Sequence, residues 1–340
     1  MKTSKKSHVS WKVIGHGKIL EFLEMAIVDN TLTSAYLFHG PAKVGKSTVA
    51  KQFINAVLCE QTDAPCGSCN GCKSFLNKNH PDVVWVEKSL EQKNIGIDQI
   101  REQVIHRHHL RPSFAQYQIT VIDQAETLSL EAANSLLKTL EEPSAESIII
   151  IIADSPERLP KTIVSRCQRI EFFTVTTDAI RDFVVAESDT AISKGVIEDI
   201  SHSANGRPGI AWRFIHVPEE WKTYQDDVLS FVEVINAPLS ARFRFVQDLL
   251  SAKSFQENVS VAMNALKLWQ TVLRSLLLGG YGVESQRLRA LDKLSGKKLQ
   301  FSRGDLASWL GEAYRLRRGL EANLSPKLAV EHFLLLFPSS

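Results

Sequence analysis

The sequence has 340 residues, of which 44% are hydrophobic and 23% charged, and its formal net charge is +2 at pH 7. This length is typical of two or three domains, and this composition excludes a disordered chain, a collagen-like chain and a disulfide-stapled miniprotein. Because positive and negative charges nearly balance, any contact with nucleic acid has to come from a local basic patch.

Membrane and export signals are weak throughout the sequence. The longest uninterrupted apolar run covers residues 148–153, whereas a helix that crosses a bilayer needs about 20 such residues. The first 15 residues lack the apolar stretch and the cleavage site of a secretory signal. We therefore expect a cytoplasmic protein without membrane contact, in which the five cysteines stay reduced as metal ligands, buried thiols or catalytic groups.

The first 172 residues alternate between helix and strand patterns. Apolar residues at helical spacing predict helices over 17–28, 46–58, 97–105 and 129–141. Short apolar runs predict strands over 35–38, 83–86, 118–122 and 147–153, with a fifth near 171–173. The strand at 147–153 is nearly all isoleucine, which is typical of a parallel sheet covered on both faces. The sequence therefore predicts a doubly wound α/β domain over residues 1–174.

Strand signals fade after about residue 175. Residues 175–215 have the pattern of a small helical unit, which Asn205–Gly209 interrupts. Residues 216–340 have apolar residues at helical spacing and predict an all-helical domain.

Residues 40–47 read Gly-Pro-Ala-Lys-Val-Gly-Lys-Ser and match the phosphate-binding loop GxxxxGK[ST] at every defined position. Gly40 and Gly45 let backbone amides face a phosphate, and the following helix adds positive potential at its N-terminus. We expect Lys46 to reach the phosphates of ATP or ADP and the Ser47 hydroxyl to hold Mg²⁺. The alternative, a chance match in a turn, is disfavoured because the loop follows a predicted strand and precedes a predicted helix.

Asp123 directly follows the strand predicted over 118–122, where a P-loop ATPase needs a carboxylate that holds magnesium through water. The alternative role is an acidic turn residue. The next residue is Gln124, whose amide orients water but cannot accept a proton, and we expect Glu126 to point elsewhere. The sequence thus predicts nucleotide binding with weak or absent hydrolysis.

Four cysteines crowd into residues 59–72 with the spacing C-x6-C-x2-C-x2-C. They are Cys59, Cys66, Cys69 and Cys72. Four thiolates this close are typical of a closed, structural zinc site. An iron–sulfur cluster is the second interpretation, and a redox pair is a third, disfavoured because a CxxC pair needs only two cysteines.

Further motifs carry a family resemblance. Val-Ile-Gly-His stands at 13–16, Ala-Ala-Asn-Ser-Leu-Leu-Lys-Thr-Leu-Glu-Glu-Pro at 132–143, and Ser-Arg-Cys at 165–167. With the phosphate loop and the cysteine insertion, they resemble the bacterial clamp-loader ATPases of the AAA+ superfamily. The sequence is similar above all to delta-prime subunits of DNA polymerase III, with gamma/tau subunits as near relatives. The resemblance is dense over 13–172 and thin afterwards.

The resemblance implies an architecture and partners. It implies an AAA+ domain over 1–174 with a zinc knuckle at 59–72, a helical lid over 175–215 and a helical collar for oligomerisation over 216–340. It also implies assembly with gamma/tau and delta subunits into a ring that opens the sliding clamp and places it on primed DNA.

The resemblance also assigns roles to residues. Arg166 matches an arginine finger that acts in trans on ATP bound to a neighbouring subunit; the alternative is a surface arginine at a helix end. His16 lies in the segment that lines the adenine pocket. Gln124, Ala153 and Gly209 replace, in turn, the water-activating Glu, the sensor threonine and the lid arginine of the motor subunits.

These departures favour a delta-prime-like subunit that binds nucleotide, hydrolyses it poorly and donates its finger. Two other interpretations stay open: a gamma/tau-type motor ATPase, and a stand-alone zinc-bearing DNA-binding protein. The segment 106–111 carries five histidines and arginines and is either a phosphate-contacting patch or a solvated helix end.

Overall fold

A computed structural model of the chain describes residues 6–89, 92, 94–108, 110–188, 192–252, 254–282 and 301–338. The chain divides into two compact units. The first runs to Phe183 and includes Gly206–Ile210, and the second comprises Val184–Asn205 and the chain from Ala211 onward. The three-domain division at residues 174 and 215 is finer than this and stays a prediction.

The first unit contains seven strands within the described residues. They are β1 (His8–Val9), β2 (Ala35–His39), β3 (Asp63–Ala64), β4 (Val83–Val86), β5 (Gln118–Ile122), β6 (Ser147–Ala153) and β7 (Gln168–Glu171). Five of them form one parallel sheet in the order β4-β5-β6-β2-β7, while β1 and β3 form a separate parallel pair. The predicted α/β domain with a parallel sheet is confirmed.

Helices of the first unit connect the strands. They are α1 (Gly17–Val28), α2 (Lys46–Leu58), α3 (Asn70–Leu76), α4 (Ile97–Ile100), α5 (His106–His108), α6 (Leu130–Glu141) and α7 (Lys161–Val164). Helices α4 and α5 are joined by a π-helical stretch, Arg101–Ile105. The fifth strand was expected near 171–173 but lies at Gln168–Glu171, because Tyr36 to His39 of β2 pair with those residues.

Strand β6 explains why five consecutive isoleucines stand in this sequence. Ile150 belongs to the apolar cluster on one face of the sheet, with Phe53 of α2. Ile151 belongs to the cluster on the other face, with Leu136 of α6. Because successive side chains of a strand point to opposite faces, a strand covered on both sides needs apolar residues at every position.

The carboxyl ends of β2, β5 and β6 meet at one edge of the sheet. Phe38 pairs with Ile152, and Ile122 pairs with Ile151. The residues that follow these strands, from Gly40, Asp123 and Asp154 onward, therefore emerge side by side. In open parallel sheets this edge is where ligands bind.

The remaining helices belong mainly to the second unit. They are α8 (Thr177–Glu187), α9 (Lys194–Ser203), α10 (Pro208–His216), α11 (Pro218–Ile235), α12 (Leu239–Leu249), α13 (Phe255–Gly280), α14 (Arg303–Glu321) and α15 (Pro326–Leu335). In its core, the rings of Trp269, Phe231 and Phe333 pack against one another, and the Trp269 ring centroid lies 4.9 Å from that of Phe231 and 5.4 Å from that of Phe333. The predicted helical C-terminal region is confirmed for the described residues.

Arg242 of α12 is 2% exposed and links the C-terminal ends of α11 and α15 by hydrogen bonds. Its guanidinium donates hydrogen bonds of 2.7–2.9 Å to the carbonyls of Ile235, Ala237, Leu334, Phe337 and Pro338. These five bonds use every N–H of the guanidinium. Burial lowers the pKa of this group from its ordinary value.

Within the described parts of the chain, every helix is too short or too polar to cross a membrane.

Candidate nucleotide site and metal centre

The phosphate-binding loop joins β2 to α2, as the sequence predicts. Gly40 has a φ of 136°, and a Cβ at this position would overlap the carbonyl oxygen of Phe172 at the end of β7. Gly45 has a φ of 111° and directly precedes the first turn of α2. Both positions therefore require glycine, the first for space and conformation and the second for conformation.

Lys46 points back into its own loop. It is 5% exposed, and its Nζ donates to the carbonyl oxygens of Gly40 at 2.5 Å and Pro41 at 2.9 Å. The third N–H of the ammonium group donates to Asp154 Oδ1 at 2.9 Å. All three N–H groups of the ammonium are thus used within the site.

Ser47 and Asp123 also meet, as expected. The Ser47 hydroxyl donates to Asp123 Oδ2 at 3.0 Å, and the backbone N–H of Gln124 donates to Asp123 Oδ1 at 2.9 Å. Hydroxyl and carboxylate oxygens are ligands that Mg²⁺ prefers, directly or through water. The residues at this edge of the sheet therefore suit a nucleotide–magnesium complex.

Two acidic residues that the sequence did not predict as site residues also lie at this edge, Glu126 and Asp154. The backbone N–H of Asp154 donates to Glu126 Oε2 at 3.4 Å, so both acids lie beside Lys46. The expectation that Glu126 points elsewhere is wrong, because Gln124 adopts a left-handed φ of 54° and the following turn brings Glu126 back to the end of β6. Asp154 directly follows β6, which is apolar from Ile148 to Ala153, and this position marks it as a residue of the carboxyl edge.

Burial raises the pKa of the Glu126 carboxyl above its ordinary value. The negative charge of Asp154 raises it further, and the positive charge of Lys46 opposes the shift. A carboxyl in this environment holds its proton more tightly than an exposed glutamate does.

His16 and Gly209 both contact the phosphate loop. His16 Nε2 lies 2.9 Å from the carbonyl oxygen of Val44, and its ring meets Phe172 edge-on. The N–H of Gly209 donates to the carbonyl oxygen of Lys43 at 3.0 Å, and a Cβ on Gly209 would lie 3.1 Å from that oxygen. Position 209 therefore leaves little room for a larger side chain.

Arg166 lies at the opposite edge of the sheet from the phosphate loop. Gln168 of β7 pairs with Tyr36 near the start of β2, whereas Gly40 follows the end of β2. The side chain of Arg166 is 34% exposed, and its Nη2 donates to Glu141 Oε1 at 2.5 Å. The structure thus separates Arg166 from the other predicted nucleotide-site residues.

The four clustered cysteines form the candidate metal centre. Their sulfur atoms all lie within 4.8 Å of one another. A tetrahedral zinc site with Zn–S bonds of about 2.3 Å has sulfur–sulfur distances of about 3.8 Å. The donor set and its spacing therefore fit a single four-sulfur metal ion.

Backbone amides surround the sulfur atoms. Cys59 Sγ accepts hydrogen bonds from the N–H groups of Gln61 and Cys66, both at 3.4 Å. Cys66 Sγ accepts from Ser68 and Cys69. The hydrogen bond from the Ser68 hydroxyl lowers the pKa of Cys66 to about 6, whereas burial raises the pKa of Cys59 and Cys72.

Gly71 fixes the knuckle against helix α2. A Cβ on Gly71 would overlap the carbonyl oxygen of Leu58 in the last turn of α2. This close approach sets α3, and with it Cys69 and Cys72, beside the end of the helix that leads to Cys59. A glycine here therefore positions two of the four sulfur atoms.

Several known proteins that this chain resembles in sequence are subunits of DNA polymerase III. The sequence model of a family described as "DNA polymerase III, delta subunit" matches residues 15–176, which include every predicted site residue. The delta-prime subunit of DNA polymerase III from Bacillus subtilis is 24% identical over 334 residues, 96% of this chain and 98% of that protein.

Two further relatives share shorter segments at higher identity. The delta-prime subunit from Pseudomonas aeruginosa is 36% identical over 138 residues, 39% of this chain and 41% of that protein. The tau subunit from Bacillus subtilis is 36% identical over 199 residues, 57% of this chain but only 35% of that protein. The chain therefore spans about a third of the tau relative's length. These matches show that the chain is related in sequence to the delta-prime and tau subunits of DNA polymerase III.

Proposed function

We propose that the chain is a delta-prime-type subunit of a DNA polymerase III clamp loader. In this role it assembles with gamma/tau and delta subunits, and the assembly opens the sliding clamp and places it on primed DNA. The match to a delta-prime subunit over nearly the whole of both chains supports this role, whereas the tau match covers only part of each chain.

The placement of Arg166 is the observation that carries the proposal. Because Arg166 lies at the amino edge of the sheet and the phosphate loop at the carboxyl edge, this arginine is not placed to serve its own nucleotide site. A guanidinium that reaches the γ-phosphate of a neighbouring subunit stabilises the charge that develops in the transition state. The pairing with Glu141 holds the guanidinium in place until a neighbour's phosphate competes for it.

The phosphate loop supports nucleotide binding by this chain. Lys46 would exchange its carbonyl and Asp154 contacts for phosphate oxygens, while Ser47 and Asp123 would hold Mg²⁺. Bound Mg²⁺ neutralises phosphate charge. Gln124 supplies no base, so we propose that the isolated chain hydrolyses ATP weakly or not at all.

The cysteine cluster would hold one structural zinc ion. The four sulfur atoms complete a closed shell, which leaves no open position for catalysis. We also propose the division into an AAA+ domain over 1–174, a lid over 175–215 and a collar over 216–340.

Reconstitution tests this function directly. We expect the chain to co-elute with purified tau/gamma and delta subunits in a complex that loads a labelled sliding clamp onto primed DNA. Loading should fail when this chain is left out. If the chain forms no complex with these subunits but binds DNA tightly alone, it is the stand-alone DNA-binding protein instead.

A gamma/tau-type motor is the second candidate, and Glu126 is the observation that favours it. Its carboxyl group lies beside Asp154 and Lys46 and could take the role that Gln124 cannot fill. ATP turnover by the free chain that Glu126→Gln abolishes would favour the motor, and the absence of turnover would favour the delta-prime role.

A further inference from the structure

A groove of about 710 Å³ lies beside the cysteine cluster, and no residue of the phosphate loop lines it. It is bounded by helix α2, by the knuckle with α3, by strand β4 at the edge of the sheet, and by residues near Ser10. Its volume is in the range of about 300–1,000 Å³ that ligand sites occupy. We call it the α2–β4 groove.

The groove has an apolar side. Trp85 and Val83 of β4 line it, together with Phe75 and Leu76 of α3. Leu76 is 60% exposed and adds apolar surface beside Phe75. This side suits one large apolar side chain of a binding partner.

Positive charge surrounds the apolar side. Lys12, Lys51 and Lys78 line the groove and are exposed, while Glu87 is the acidic residue in the lining. Lys51 Nζ lies 5.3 Å from the centre of the Trp85 ring. Within the described parts of the chain, none of these three lysines forms an ion pair with an acidic side chain. The groove therefore presents three lysine ammonium groups and one carboxylate, beside Cys66 of the cysteine cluster, to whatever occupies it.

Asn55 is a buried polar residue of the lining. It lines the groove and is 8% exposed, and its Oδ1 accepts no hydrogen bond from any described residue. This oxygen has almost no accessible surface, so an occupant of the groove does not reach it unless the side chain rotates.

We propose that the α2–β4 groove binds an acidic peptide segment of a partner protein. Carboxylates of the segment face the three lysines, and one large apolar side chain packs on Trp85 and Phe75. Single-stranded nucleic acid fits less well, because its binding relies on successive bases that stack on several aromatic rings. The lining includes two such rings, Trp85 and Phe75, and both are half-buried.

Fluorescence anisotropy with the full chain tests this proposal. The probe is a labelled 12-residue peptide with four aspartates around one phenylalanine in a glycine–serine background. The comparison probes replace the phenylalanine by alanine, replace the aspartates by asparagine, or consist of 12-nucleotide oligo-dT. We expect saturable binding of the first probe that weakens with each peptide replacement and with added salt.

Substitutions locate the site. We expect Lys51→Glu and Lys78→Glu each to weaken binding by about fivefold or more, and Trp85→Ala to remove the preference for phenylalanine. Lys73→Glu is the matched control, because Lys73 is exposed on α3 but does not line the groove. The proposal is overturned if no probe peptide binds up to about 1 mM, if Lys51→Glu and Lys78→Glu act like the control, or if oligo-dT binds more tightly than the acidic peptide.

Discussion

Lys46 and Asp154 form an ion pair at the carboxyl edge of the sheet, with Nζ 2.9 Å from Oδ1. The lysine side chain is 6% exposed and the aspartate side chain 46%. Lys46 is therefore already neutralised by an acid. In the proposed nucleotide site, phosphate would have to compete with Asp154 and with two loop carbonyls for the same ammonium group.

This competition predicts the effect of Asp154→Asn. This substitution keeps the size of the side chain but removes its negative charge. It therefore releases Lys46 and removes the electrostatic repulsion between residue 154 and a bound phosphate. We expect a labelled ATP analogue to bind about three- to tenfold more tightly in a fluorescence titration. Lys46→Ala should abolish binding, and Lys43→Ala in the same loop is the matched control. Weaker binding by Asp154→Asn would show instead that the pair positions Lys46 for the phosphate.

The cysteine centre predicts one zinc ion for each chain. Cys72→Ser should lower the zinc content measured by elemental analysis and lower the midpoint of thermal unfolding, because structural zinc contributes about 10–16 kcal/mol of apparent binding energy in small peptides. Cys167→Ser, outside the cluster, is the control. Purified, unchelated protein without zinc, or a chelated protein with an unchanged melting temperature, would contradict the structural role.

Arg242 predicts a large loss of stability in the helical unit. Arg242→Met keeps much of the side-chain volume but leaves five carbonyl oxygens without their donor. We expect the free energy of unfolding to fall by about 3 kcal/mol or more in denaturant titrations. Arg244→Met, at an exposed position of the same helix, should change it by less than about 0.5 kcal/mol. Similar values for both variants would show that these hydrogen bonds contribute little.

The sequence predicts β2, β4, β5 and β6 well because these strands are mainly apolar runs. Strand β7, with the sequence Gln-Arg-Ile-Glu, has one apolar residue and was therefore misplaced by a few residues. The helix that follows the phosphate loop begins at Lys46 and ends at Leu58, the bounds expected from spacing alone. The residues whose place depends on tertiary structure are harder to predict. Glu126 reaches the site through the left-handed conformation of Gln124, which its side chain does not specify.

Hydrogen bonds and ion pairs between residues far apart in the chain also could not be predicted from the sequence pattern. The ion pair of Arg166 and Glu141 joins two motifs 25 residues apart, and no local periodicity encodes it. The five carbonyl partners of Arg242 come from two chain segments about 100 residues apart, so an arginine on an amphipathic helix gives no sign of its burial. Such contacts follow from packing and not from spacing.

Glu126 predicts a pH dependence of stability. Because burial raises its pKa in the folded state, the folded chain binds this proton more tightly than the unfolded chain. The protonated Glu126 carboxyl therefore makes its full contribution to the free energy of unfolding below its pKa in the unfolded chain, about 4.3. This contribution is lost as the pH rises through its pKa in the folded chain.

Glu126→Gln removes this titration. We expect the thermal stability of the variant relative to the wild type to increase as the pH rises above about 4.3. Glu102→Gln, which changes an exposed carboxyl, should show no such trend. A difference between variant and wild type that stays constant with pH would contradict the raised pKa.

ATP turnover of a reconstituted clamp loader tests most directly whether Arg166 acts in trans on a neighbouring subunit. The measurement compares the wild type, Arg166→Ala, Arg166→Lys and the control Arg169→Ala, with clamp and primed DNA present. An arginine finger contributes about 10³–10⁵ at a single site, and the loss for the whole assembly should be smaller because other subunits supply the remaining fingers.

We predict that Arg166→Ala lowers turnover only in the assembly and leaves folding and nucleotide binding of the free chain unchanged. Arg166→Lys should rescue little, since an ammonium keeps the charge but loses the planar fork. Arg169→Ala should turn over ATP like the wild type. Equal steady-state rates for the wild type and Arg166→Ala in the complete assembly would contradict the in-trans role.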